Sequence, residues 1–243
     1  MRQQIITQLK EKATLKHRDF VAKLTPGVSE ILGVPMPEIR KIARGMEKES
    51  PRALFSMWEK EISSGVPLYM EEKILWGLML GHCSMDFHHR MERMSSFITA
   101  IDSWPVCDIC KTDLVFLRNE NEHDDFWTIL KGYGESKETY PLRFFFVCAM
   151  GYYVTPPYLE YIYQVMARED FPGYYAKMAA AWMMQECYLV EPQGVEQLLR
   201  ERKIKDPFVH NKGIQKILES RVVSSHCKER LKNLKIVSPP APK

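Results

Sequence analysis

The chain lacks any apolar run approaching the ~20 residues needed to span a bilayer. Its opening, Met1-Arg-Gln-Gln-Ile-Ile-Thr-Gln-Leu-Lys10, has no apolar stretch of the kind that forms a secretory signal. Together these absences predict a cytoplasmic protein. A disulfide framework is also missing. The six cysteines (Cys83, Cys107, Cys110, Cys148, Cys187 and Cys227) are scattered through apolar, helical contexts and read as reduced thiols. There is no Gly-rich phosphate loop, because Lys131-Gly-Tyr-Gly-Glu135 has neither a strand before it nor a Lys-Ser/Thr after it. No Gly-x-Ser-x-Gly elbow is present, which removes a common hydrolase signature. The formal net charge of +3 is too small to demand an anionic partner, and permits one only if basic residues cluster.

The most informative absence is that of strands. Val/Ile/Thr alternation is scarcely found, whereas apolar residues recur at three- and four-residue spacing almost throughout. Leu9, Leu15 and Phe20 to Leu24 mark one or two leading helices. From Pro35 onward the chain parses into helix pairs separated by Pro, Gly or polar breaks, with first helices starting near Pro35, Leu68, Trp104, Tyr140, Tyr174 and Asp206. The starts recur at roughly 32 to 36 residues, the period of helical solenoids. Prolines 35 and 37 suit a first helical turn, where the missing N–H costs nothing. Ser50-Pro51 reads as a cap followed by proline, and Asp102 or Ser103 can cap the helix that contains Pro105. Segments 142–150 and 176–184 are apolar nearly all round, as central helices are, while 196–205 has a charged face. The expected architecture is an all-α, single-domain curved stack of paired helices over residues 1–237. Residues 1–34 would form N-terminal capping helices, and 238–243 a disordered tail.

Among the possible chemistries, metal binding comes first. Cys107-x-x-Cys110 has zinc-ligand spacing and His82, Cys83, His88 and His89 lie upstream, but no second tight pair completes four ligands. Two cysteines at i and i+3 on a helix are more often core-facing small hydrophobes, so no metal is expected. Four other residues share an address in the repeat. Trp104 and Asp108, four apart and therefore on one helix face, belong to the first helix of the third pair. Arg143 occupies the equivalent helix of the fourth pair and Trp182 that of the fifth. Two aromatic planes, a carboxylate and a guanidinium suit a cationic, sugar-containing ligand on a phosphate backbone. The same four residues suit an ordinary core just as well, with both tryptophans packed inside and Asp108 paired to Arg143. Every first helix also carries a positive charge, among them Lys111, Lys177, Lys212 and Lys216, a pattern compatible with a groove that tracks phosphates.

Leu32-Gly-Val-Pro-Met-Pro-Glu-Ile-Arg-Lys41, Ser103-Trp-Pro-Val-Cys-Asp108, Leu142-Arg-Phe144, Ala181-Trp-Met-Met-Gln185 and Val209-His-Asn-Lys-Gly-Ile-Gln-Lys216 resemble the DNA alkylation repair enzymes of the AlkD-like type. These are DNA glycosylases built as HEAT-like, ARM-type solenoids of paired antiparallel helices, wound as a right-handed α-α superhelix. The resemblance implies that Asp108 stabilises positive charge on deoxyribose as the glycosidic bond to an N-alkylated purine breaks. It places Trp104 and Trp182 against the sugar-phosphate of the lesion and Arg143 on the nearby backbone. It further implies a monomer acting on duplex DNA that holds a cationic purine such as 3-methyladenine or 7-methylguanine. The base is not drawn into a pocket, and neither metal nor organic cofactor is needed. Pro105, Cys107 and Gln185 depart from the family pattern. Two other readings remain at this level: a non-catalytic HEAT-like DNA-binding module, and a protein-interaction scaffold.

Overall fold

The structure, a computed structural model, describes residues 1–46 and 51–236, with backbone alone at Cys110 and Thr112. Ser50, expected as a cap, and the expected tail at 238–243 lie outside the described residues. Among those described there are fourteen α-helices, two short 3-10 turns and no strand. None of the helices is long and apolar enough to cross a membrane. The chain divides into two compact units, Met1–Ile129 and Leu130 onward.

In the first unit, α1 (Arg2–Lys12) and α2 (Leu15–Leu24) precede three pairs: α3 (Met36–Met46) with α4 (Pro51–Ser63), α5 (Met70–His82) with α6 (Phe87–Thr99), and α7 (Trp104–Cys110) with α8 (Glu120–Gly134). The division between units falls inside α8. Helix starts follow the sequence breaks closely. Pro105 sits in the first turn of α7, and Thr14 Oγ1 caps α2 by accepting from His17 N at 3.2 Å. α5 packs on α3 and α7, and α1 lies against α3 and α5. Trp76 of α5 stacks on Trp58 of α4 and meets Phe97 of α6 edge-on, with ring centroids 5.9 and 5.7 Å apart. All three are buried, and truncating such a ring costs about 3–5 kcal/mol.

Every residue of α5 from Met70 to Gly81 is buried, including three consecutive charges. Successive side chains on a helix diverge by roughly 100°, and these three find different partners. Glu71 accepts from the backbone N–H groups of Leu32, Gly33 and Val34 at 3.1, 2.7 and 3.2 Å. Glu72 takes a forked pair of bonds from Arg2, at 2.9 and 3.1 Å. Lys73 binds Asp102 at 2.5 Å. Gly33 itself has φ +90°, and a Cβ there would stand 2.5 Å from Arg18 N, so only glycine fits the loop that feeds Glu71.

The second unit holds α9 (Thr139–Tyr152), α10 (Pro156–Met166), α11 (Tyr174–Val190), α12 (Pro192–Arg200), α13 (Pro207–Glu219) and α14 (Ser225–Lys232). α11 is its centre, packed on α9 and α13. Ala176 and Ala179 to Ala181 are fully buried and let the neighbouring helices approach. A Cβ on Gly213 of α13 would meet Met184 Sδ of α11 at 2.4 Å. Within each unit the first helices of successive pairs thus lie side by side, as in a helical solenoid.

Candidate functional site

α7 is a short helix anchored at both ends. Ser103 enters it with extended backbone, and Ser103 O accepts from Cys107 N at 3.1 Å. Neither expected capping side chain serves: Ser103 Oγ is buried without a hydrogen bond, and Asp102 instead reaches Lys73 of α5. Val106 and Cys107 are fully buried, forming the face that packs on α5. Trp104 and Asp108 are only half-buried. The Trp104 indole is held by its edge, Nε1 donating to Leu24 O at the end of α2 at 3.0 Å. One turn further along, Asp108 is partly open to solvent, so ring and carboxylate share the accessible face.

Beyond α7 the chain turns through Lys111–Asp113. Asp113 pairs with Arg40 of α3 through one oxygen and lies 3.3 Å from His82 Nε2 through the other. The approach of this turn to α5 requires Gly81, where a Cβ would fall 2.2 Å from Asp113 O. Lys111 sits half-exposed in the same turn.

In the second unit Arg143 is 5% exposed, and its Nη1 donates to Tyr175 O in the first turn of α11 at 2.9 Å. Lys177, one turn into α11, binds Asp206 at 2.8 Å. Asp206 is buried and caps α13 by accepting from Val209 N at 2.9 Å. These two basic side chains, expected on a phosphate groove, are therefore bonded within the unit at the starts of α9, α11 and α13. Trp182 and Gln185, further along α11, are half-exposed, as are Lys212 and Lys216 of α13; Lys216 lies 3.3 Å from Glu219.

The tryptophans sort themselves by burial. Trp58, Trp76 and Trp127 are buried, while Trp104 and Trp182 reach the surface. The histidines near the Cys107-x-x-Cys110 pair go elsewhere, His88 to Glu92 and His89 to Asp86, and no cluster of metal-ligating side chains is found among the described residues. Arg40 and Lys73, in the sequence simply positive charges on first helices, and His82, there weighed as a metal ligand, instead hold α7 in place through Asp113 and Asp102, a role the sequence pattern missed. For Lys73 the sequence signal is the charged triplet inside an otherwise apolar α5.

Compared with known proteins, residues 5–217 match the family model of the DNA alkylation repair enzymes. Searches of curated proteins and of solved structures found no match.

Proposed function

Because the chain belongs to the DNA alkylation repair enzyme family, we propose that it is a DNA glycosylase that releases N-alkylated, cationic purines from duplex DNA. The observation that carries this reading is the pairing of Trp104 with Asp108 on α7. They lie one turn apart and partly exposed, on a helix fixed by Lys73–Asp102 before it and Arg40–Asp113 after it.

In this reading the glycosidic bond of a 3-methyladenine or 7-methylguanine nucleotide breaks with its electron pair leaving on the base. The departing base loses its positive charge, so it needs little help from a general acid. Deoxyribose is left with oxocarbenium character, and the Asp108 carboxylate stabilises that charge electrostatically. Water then attacks C1′ and loses a proton. Trp104 packs against the sugar, its plane set by the bond from Nε1 to Leu24 O. Trp182, Lys111, Lys212 and Lys216 meet the sugar-phosphate backbone, each from within its own unit. Arg143 and Lys177 act on the phosphates from their bonded positions. As a nearly buried charge, Arg143 is less screened by salt than an exposed one would be.

The test is base release from methylated duplex DNA by wild type and by Asp108→Asn. The reading expects free alkylpurine from the wild type and at least a hundredfold loss in the variant, on the scale of removing one electrostatic stabiliser, with the thermal midpoint retained. Duplex binding without base release, undiminished by Asp108→Asn, would establish the non-catalytic DNA-binding module instead.

A further inference from the structure

Large aromatic residues recur where the first helices begin, at Tyr69, Trp104, Tyr140, Tyr174 and Phe208, a spacing of 34 to 36 residues. In the second unit these rings touch. Tyr140 of α9 stacks on Tyr175 of α11 with centroids 6.0 Å apart and planes 22° apart. Tyr175 meets Tyr174 edge-on at 5.4 Å, and Tyr174 meets Phe208 of α13 at 5.7 Å. One continuous row of four rings therefore crosses the starts of α9, α11 and α13.

The row is firmly held and yet open to solvent. Gly173 enters α11 at φ +136°, and a Cβ there would lie 2.9 Å from Thr139 Oγ1, so α11 starts close against α9. Thr139 Oγ1 donates to Pro172 O, and Arg143 Nη1 to Tyr175 O. Core aromatics of the same unit, Phe144 to Phe146 and Tyr153, are fully buried, whereas Tyr174 is 59% exposed and the other three rings are half-exposed. Positive charge flanks the α13 end of the row, where the exposed Lys205 stands three residues before Phe208; at the α9 end the exposed Lys137 is accompanied by Glu138. Lys203 is exposed like Lys205, and Asp206, which follows them, is buried and neutralised by Lys177.

We propose that this row is a binding site for unpaired DNA, with bases stacked on Tyr174 and its neighbours and phosphates near Lys203 and Lys205. Aromatic planes take up the faces of bases regardless of their identity, provided those faces are free. Inside a duplex they are occupied by neighbouring bases, so the fitting partner is a single strand, such as an overhang or gap beside duplex. The proposal rests on DNA being the partner, as in the function proposed above, but not on the chemistry assigned to Asp108.

Fluorescence anisotropy at ~50 mM salt, with a labelled dT12 strand and a labelled twelve-base-pair duplex, tests it. The wild type should bind dT12. Tyr174→Ala should weaken that binding by about 5- to 150-fold, the range for loss of one stacked base, while changing duplex affinity less than about twofold. Tyr174→Trp should restore it. The exposure of Tyr174 means that thermal midpoints should agree across the variants, and Phe208→Ala gives a second, independent loss. No binding of dT12 by the wild type overturns the proposal, as does an unchanged Kd in the Tyr174→Ala/Phe208→Ala double variant. Equal losses on single strand and duplex do so too. Selective loss of dT12 binding in a protein that releases no methylated base would sink the glycosylase reading and leave this one standing.

Discussion

Replacing Gly81 with alanine tests the packing that places α7. In an open helix position this substitution stabilises by about 0.5–1 kcal/mol, because glycine loses more backbone entropy on folding. At Gly81 the new Cβ would lie 2.2 Å from Asp113 O and 2.8 Å from Asp113 C. Both are backbone atoms, so relief requires moving the turn by about an ångström rather than rotating a side chain. Overpacking of this kind costs about 1–3 kcal/mol, and the net expectation is a loss of roughly 1–2 kcal/mol. Two other helical glycines calibrate the series. At Gly132 an added methyl would have nothing within 4 Å, and alanine there should gain about 0.5–1 kcal/mol. Gly213 faces the flexible Met184 side chain, with Sδ at 2.4 Å, and should fall between the two. Urea midpoints at constant m-value would rank Gly132→Ala above Gly213→Ala above Gly81→Ala. Displacing Asp113 from Arg40 and His82 should also lower base release by Gly81→Ala, at temperatures where the variant is fully folded. A Gly81→Ala protein as stable as Gly132→Ala would refute the close approach and the anchoring of α7 drawn from it.

Glu71→Gln can keep an amide oxygen on the N–H groups of Gly33 and Val34 but removes the charge and sets its NH₂ against the Leu32 N–H donor, and should cost about 2–3 kcal/mol in calorimetric unfolding. Asp206→Ala removes the α13 cap and the partner of Lys177, for a loss of about 1–2 kcal/mol by urea titration. Burial holds the pKa of His210 below the ordinary value of 6.5, with Arg202 adding to the depression and the Leu234 carbonyl opposing it. The unfolded chain therefore takes up a proton below about pH 6.5 that the folded protein refuses. Stability should fall as pH drops through 6.5 toward the depressed folded value, and His210→Gln should flatten that fall in melting curves from pH 7.5 to 5.

The helices were legible because their breaks are chemical. Breaks such as those at Pro35, Pro51, Pro105 and Gly173 interrupt the three-to-four periodicity, and the observed starts at Met36, Met70, Trp104, Thr139, Tyr174 and Pro207 lie within a residue or two of those expected. Trp104, Asp108 and Trp182 could be singled out because repeat register assigns residues to equivalent helices. What a side chain meets was not legible. A lysine with a carboxylate partner and one without look alike in one dimension, and nothing in the sequence signalled that Lys177 would pair with Asp206. Arg143 likewise gave no sign that it would be buried against a carbonyl of α11. Met70-Glu-Glu-Lys73 has the composition of a solvated turn, and only the position of α5 amid α1, α3, α6 and α7 turns it into the most enclosed charged segment of its unit.

That triplet also governs how the first unit can come apart. Glu71, Glu72 and Lys73 are satisfied by three distant parts of the chain: the loop at Leu32 to Val34, the N-terminal Arg2, and Asp102 before α7. Peeling away any one of them while α5 stays enclosed strands a charge in an apolar interior, at a cost of several kcal/mol. Partial openings of this kind are therefore scarce. α1, the Gly33 loop and the entry to α7 open together with α5, and their slowest amide protons exchange with solvent through one shared event.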